Sequence, residues 1–312
     1  MGKTQKKTLG LALGSGAARG WAHVGVLKAL DEIGVKPTVI AGCSVGALVG
    51  GAHLIGALEE FESWARSLKP LSALDKFSLK VRRGGFIDAE PAFAAFREFD
   101  RNIEDLPVKF GAVATDLANG EEIHLTRGSV IDAVRASSAI PVVFHAVRHH
   151  DRWLVDGALA NPAPVSLARK LGADVVLCVD LNAVPRALDR FDAPPPNVPA
   201  VIEANTAAQP GITGAVAKLI EDTQTAIKRQ FDFARARKDA SPQLFETTYA
   251  ASDIFQMHLA KARMRAEPPD VLLRPDMRDA MPTAFDRADE FIEIGYRAMM
   301  DERGKLDVLL NN

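Results

Sequence analysis

The apolar run Val39-Ile40-Ala41 ends in Gly42-Cys43-Ser44-Val45-Gly46, and this junction constrains the chain more than any other segment. A serine inside G-x-S-x-G directly after a strand-like run reads as a nucleophile elbow. Gly42 and Gly46 let the backbone turn sharply from strand to helix and hold the Ser44 hydroxyl at the tip. A helix starting just after Ser44 would lie in the middle of a sheet and aim its N-terminal dipole at the same point. A buried turn of small residues reads alike over five positions, so the segment has to be weighed with two others.

Upstream, a strand-like run over residues 8–13 breaks into Gly14-Ser15-Gly16-Ala17-Ala18-Arg19-Gly20, followed by a helical pattern over 21–33. A glycine-rich loop that opens a helix presents unpaired backbone N–H groups, which bind a phosphate or an oxyanion. Downstream, the strand-like Trp153-Leu154-Val155 leads into Asp156-Gly157-Ala158 and then Asn161-Pro162-Ala163-Pro164. A carboxylate is thereby set at a strand-to-turn junction.

In this order the three segments resemble the patatin-like phospholipase family: a glycine-rich loop ending in Arg-Gly, then G-x-S-x-G, then Asp-Gly-Ala. Arg135-Ala136-Ser137-Ser138-Ala139-Ile140-Pro141 and residues 161–173 are similar to its bacterial RssA and neuropathy target esterase-related branch. The resemblance covers residues 9 to about 181 and resumes more weakly over 268–294. It implies a three-layer α/β sandwich with a central, largely parallel or mixed sheet and helices on both faces. It also implies a cofactor-free serine acyl hydrolase that cleaves carboxylic esters of phospholipids or lysophospholipids.

Carried onto this chain, the family pattern implies a Ser44/Asp156 dyad in which the carboxylate takes the serine proton directly. Gly157 and Ala158 complete the Asp-Gly-Ala motif. Gly14, Ser15, Gly16, Ala17, Arg19 and Gly20 would form the oxyanion loop, with Ser15, Gly16 and Ala17 contributing backbone N–H groups. Arg19 would either fix that loop through a salt bridge, the favoured role, or attract an anionic head group. Relatives often carry glycine where this chain has Ser15 and Ala17, and a positive φ at Ala17 would be costly.

A serine hydroxyl is a poor nucleophile until something accepts its proton, and the usual acceptor is a histidine oriented by a carboxylate. Here His23 and His53 fall inside helices, His124 in a strand, and His145, His149 and His150 in an expected turn over 144–151. His258 alone follows Asp156 in the Ser, Asp, His order of an α/β-hydrolase, and it is the alternative base. A nucleotide site on the glycine loop is disfavoured, because Arg19 occupies the last glycine of G-x-G-x-x-G and no Lys-Ser/Thr closes the loop. The competing reading is a non-catalytic, lipid-binding or regulatory relative.

The remaining pattern alternates strands and helices, as an α/β sandwich requires. Strands are expected at 110–115 and 122–126 around the turn Asn119-Gly120, at 173–181 and at Val271-Leu272-Leu273. Helices are expected at 45–58, 130–138, 164–171 and 243–265. A C-terminal helix shows the apolar stripe Phe285, Ala288, Phe291, Ile292, Gly295 and Met299.

With 38 basic and 40 acidic residues the net charge is −2, so no global field draws the chain to nucleic acid or anionic lipid. The expected partner is a lipid or ester substrate, with peripheral and local membrane contact and no nucleic acid. Nothing in the sequence specifies an oligomer. Cys43 and Cys178, both in apolar runs, read as buried reduced thiols and make a cytoplasmic location the default, with peripheral contact at the inner membrane. No His/Cys set has metal-ligand spacing and no calcium loop is present, so no metal is expected. The 312 residues read as one domain with a mobile tail over 1–8 and a Pro-rich connection plus helical insertion over about 186–265. Lys228, Arg229, Arg235, Arg237 and Lys238 in that insertion read first as a solvated helix end complementing its own dipole, with a membrane-docking patch as the alternative.

Overall fold

The continuous apolar runs Leu9–Leu13, Val39–Cys43 and Val175–Val179 show no alternation, and every residue in them is buried. That is the signature of parallel strands covered on both faces. The computed structural model describes residues 7–67, 78–82, 85–94, 96–182, 244–277, 280 and 284–311. The first six residues, the Pro-rich segment and the basic stretch 214–238 lie outside the described residues. Those up to 182 and from 248 onward belong to one unit.

In chain order the strands are β1 (Leu9–Leu13), β2 (Val39–Cys43), β3 (Ser78–Arg82), β4 (Gly85–Asp88), β5 (Lys109–Asp116), β6 (Glu122–Leu125), β7 (Val142–Phe144), β8 (Val147–His149), β9 (Arg152–Asp156), β10 (Val175–Val179) and β11 (Val271–Leu273). The helices are α1 (Trp21–Glu32), α2 (Val45–Leu54), α3 (Leu58–Arg66), α4 (Glu90–Ala94), α5 (Val130–Ser137), α6 (Val165–Lys170), α7 (Leu244–Ala266) and α8 (Ala288–Asn311).

The main sheet runs β11-β10-β1-β2-β5-β9-β8, with β6 also on β5, and β3-β4-β7 form a second sheet. The first five strands of the main sheet are parallel, whereas β6, β9 and β8 pair antiparallel. One face packs Leu11, Leu13, Ile40 and Phe110 against Val24 of α1, Val49 of α2, Val134 of α5 and Phe291 of α8. The other packs Ala12, Val39, Cys43 and Val113 against Leu167 of α6 and Ala260 and Met264 of α7. The fold is therefore a three-layer α/β sandwich on a mixed sheet.

Two local expectations are corrected. Residues 45–58 do not form one helix: α2 ends at Leu54, Gly56 turns at φ +76, and α3 starts at Leu58. Residues 144–151 are not simply a turn either. Val147–His149 is strand β8, paired with β9, and His150, at φ 52, makes the connection. Among the described residues no helix is long and apolar enough to cross a membrane.

The apolar stripe of α8 buries Ala288, Phe291, Ile292, Gly295 and Met299, while Phe285 precedes the helix and meets the Trp21 ring at 6.3 Å. α8 and α1 touch backbone to backbone. A Cβ on Gly295 would stand 2.0 Å from the Ala22 carbonyl oxygen, and one on Gly25 would stand 1.9 Å from that of Ile292. Gly295→Ala is therefore expected to push two packed helices apart and destabilise the fold by about 3 kcal/mol. In thermal unfolding this should read as a drop of roughly 5 °C; an unchanged midpoint would mean the helices do not pack this closely.

Candidate active site

Ser44 and Asp156 are brought together by one strand. In the register of β5, Val113 lies opposite Cys43 of β2 and Ala114 lies opposite Asp156 of β9. Because β6 pairs with Ala112 to Thr115 and so overlaps both, β2 and β9 must share the other edge of β5. β9 takes over that edge one residue after β2 leaves it. Adjacent positions on a strand are about 3.3 Å apart, and Ser44 Oγ donates a hydrogen bond to Asp156 Oδ2 at 2.6 Å.

The elbow is strained and held. Ser44 has φ 54 and ψ −123, a conformation that persists only when its surroundings over-determine it. Its N–H donates to Ser137 Oγ at 2.9 Å, and its carbonyl accepts from the Leu48 N–H at 3.0 Å. Gly46 lets α2 cross close to the glycine loop, since a Cβ there would lie 2.1 Å from the Leu13 carbonyl oxygen. Ser44 immediately precedes α2, so the positive end of that helix faces the site.

Asp156 is equally constrained. Its Oδ1 accepts from the Ala158 N–H at 2.8 Å, its own N–H donates to the Ala139 carbonyl at 2.9 Å, and its carbonyl accepts from Thr115 Oγ1 at 2.9 Å. Both residues are only 4% exposed. Burial pushes the Asp156 carboxyl up to about 6, against the opposing pull of the hydrogen bonds from Ser44 and Ala158.

The histidines lie elsewhere. His23 is buried in α1 with Nε2 at 2.8 Å from the Gly14 carbonyl, and burial lowers its pKa to about 4. It is thus a neutral ring whose Nε2–H braces the glycine loop. His124 pairs with Glu122 at 2.8 Å, and His258 is exposed on α7. Ser44 faces a carboxylate and not a ring.

The glycine loop departs from expectation at two residues. The Ser15 N–H donates to the Pro162 carbonyl at 2.8 Å and the Gly14 N–H to that of Val179 at 3.0 Å. This corrects the expectation for Ser15, because a committed N–H is not available to an oxyanion. The N–H groups of Gly16 and Ala17 make no hydrogen bond among the described residues. Ala17 does adopt the costly backbone, at φ 49, a strain of about 1–2 kcal/mol.

Arg19 is 1% exposed, pairing with Asp253 Oδ1 at 2.7 Å while its Nε donates to the Gly16 carbonyl at 3.2 Å. Gly20 closes the loop's short 3-10 turn, and Gly42, Gly157 and Ala158 are buried beside Ser44 and Asp156 in sequence. Three contributors were not singled out from sequence: Ser137, Asp253 and Gln256. Ser137 stands in a family-like run that says nothing of its role, and the i, i+3 spacing of the other two marks only a shared helix face. Among the described residues no group of three His, Cys, Asp or Glu could hold a metal ion.

The patatin-like phospholipase family model matches residues 11–169. The chain is 33% identical over 319 residues to an uncharacterized NTE family protein of Mycobacterium tuberculosis, covering 91% of this chain and 88% of that protein. A second uncharacterized NTE family protein of the same species is 30% identical over 307 residues, covering 94% of this chain and 46% of that protein. A lysophospholipase of Emericella nidulans is 29% identical over 185 residues, covering 57% of this chain and 12% of that protein.

Proposed function

This chain belongs to the patatin-like phospholipase family, and from that premise we propose that it is a serine acyl hydrolase cleaving carboxylic esters of phospholipids or lysophospholipids. The observation that carries the reading is the 2.6 Å hydrogen bond from Ser44 Oγ to a buried carboxylate. Ser44 Oγ attacks the ester carbonyl carbon as its proton passes to Asp156 Oδ2. The carbonyl oxygen, now an oxyanion, meets the N–H groups of Gly16 and Ala17 and the positive end of α2. Collapse breaks the ester C–O bond, and Asp156 returns the proton to the departing alkoxide. In the second half Asp156 takes a proton from water, which attacks the acyl-enzyme and frees the fatty acid and Ser44. With its pKa at about 6, Asp156 is a stronger base than an ordinary carboxylate yet ionised at neutral pH.

The reading includes reversible peripheral contact with a bilayer through the region 214–265, whose clustered basic side chains suit anionic head groups. Fatty-acid release from lysophospholipid and from anionic phospholipid vesicles tests both parts. Release is expected from each, with added salt weakening the vesicle reaction and sparing hydrolysis of a small soluble ester. A folded protein that hydrolyses neither lipid nor soluble ester would fit a non-catalytic lipid-binding relative instead.

A further inference from the structure

Helix α7 reaches the glycine loop twice with one face. Asp253, whose side chain is 6% exposed, pairs with the buried Arg19 at 2.7 Å. Gln256, three residues on, takes a hydrogen bond from Ser15 Oγ through its Oε1 at 2.7 Å. Its amide nitrogen is spent on Ser252 Oγ at 2.8 Å, which fixes the orientation of the side chain. Ser15 and Arg19 flank Ala17 by two residues on either side, and Ala17 holds the left-handed φ of 49.

We propose that Asp253 and Gln256 of α7 are positioning residues that keep the Gly16 and Ala17 N–H groups aimed at the developing oxyanion. The inference rests on the acyl-hydrolase reading of Ser44. An alanine in a left-handed backbone relaxes unless both of its flanks are tied down. On the upstream side, the Ser15 hydroxyl has two acceptors in reach, Gln256 Oε1 at 2.7 Å and the more distant Asn182 Oδ1 at 3.1 Å, and His23 braces the Gly14 carbonyl. On the downstream side, Arg19 is held by Asp253 and in turn holds the Gly16 carbonyl at 3.2 Å. Both clamps come from a helix 234 and 241 positions away in sequence. Each acts through the loop.

Loss of either clamp lets the two N–H groups drift, and a drift of about an ångström at an oxyanion site costs roughly 10- to 100-fold in rate. The test uses the full chain with a soluble p-nitrophenyl ester and with a trifluoromethyl ketone that adds to Ser44 as a tetrahedral oxyanion. Gln256→Ala and Asp253→Asn are expected to lower kcat about 10- to 100-fold at nearly constant KM and to weaken the ketone by a similar factor. Undiminished turnover in both variants, or lost turnover with unchanged ketone affinity, overturns the proposal. Gln256→Ala decides alone if Asp253→Asn does not fold, because it leaves the buried ion pair intact. A wild-type protein that neither hydrolyses the ester nor binds the ketone overturns the reading of Ser44 itself. That outcome is distinct from failure of the clamp, which leaves the wild type active.

Discussion

Ser44→Ala is expected to lower ester turnover by about 10⁴-fold or more while the protein stays folded. The change removes one oxygen from a residue whose backbone is already fixed at φ 54 by Ser137 and Leu48, and alanine tolerates that conformation no worse than serine. What would be lost is the proposed nucleophile. The adjacent Cys43 is fully buried, and burial raises its thiol pKa well above the ordinary value, so it is a protonated, inaccessible sulfur. Asp156 loses one hydrogen bond but keeps that from Ala158, a loss worth about 1 kcal/mol. Initial rates on a soluble ester with a circular-dichroism melt check both halves; undiminished turnover would remove Ser44 from the mechanism.

Asp156→Asn is expected to lower turnover by about 10²- to 10⁴-fold, and also to make the protein more stable at neutral pH. The folded carboxyl titrates at about 6 because it is buried, whereas in the unfolded chain it titrates near about 3.9. From about pH 4 to 6 the folded state holds a proton that the unfolded state has released, so stability is greatest below that window and falls as pH rises through it. The cost at neutral pH is of the order of 3 kcal/mol. Asparagine carries no charge to bury, can still accept from the Ala158 N–H, and can donate to Ser44 Oγ. The variant should therefore outlast the wild type in urea at pH 7.5 and match it near pH 4. Wild-type kcat/KM should in turn fall as pH drops below about 6, because the base must be ionised. A variant destabilised equally at both pH values would mean the carboxylate stabilises the fold, contrary to this account.

The parts of the site legible in sequence are those whose geometry is local. A strand meeting Gly42-Cys43-Ser44-Val45-Gly46 can only turn sharply, and the steric strain of an alanine in the glycine loop is legible in its residue type, as the φ of 49 at Ala17 bears out. Arg19 could likewise be given a structural task, though not its partner. What sequence did not disclose is long-range pairing. The N–H of Ser44 meets Ser137 across 93 positions, and the clamps on the glycine loop come from α7. Nor could it show that the Ser15 N–H is committed to the Pro162 carbonyl, 147 positions on. Periodicity also overran at residues 45–58, where small apolar residues continue past Leu54 although Gly56 turns the chain. At residues 144–151 the histidines and arginine read as a turn, yet the backbone of Val147–His149 pairs with Arg152–Leu154 as a strand.

The most direct measurement is mass-spectrometric mapping of the wild-type protein after treatment with a fluorophosphonate, which phosphonylates a serine only when that serine is activated. The account predicts a single adduct on Ser44, absent from Ser44→Ala, forming slowly below about pH 6 and faster above it as Asp156 ionises. A folded protein that takes up no phosphonate, or takes it up on another serine such as Ser15, Ser137 or Ser138, would contradict the account.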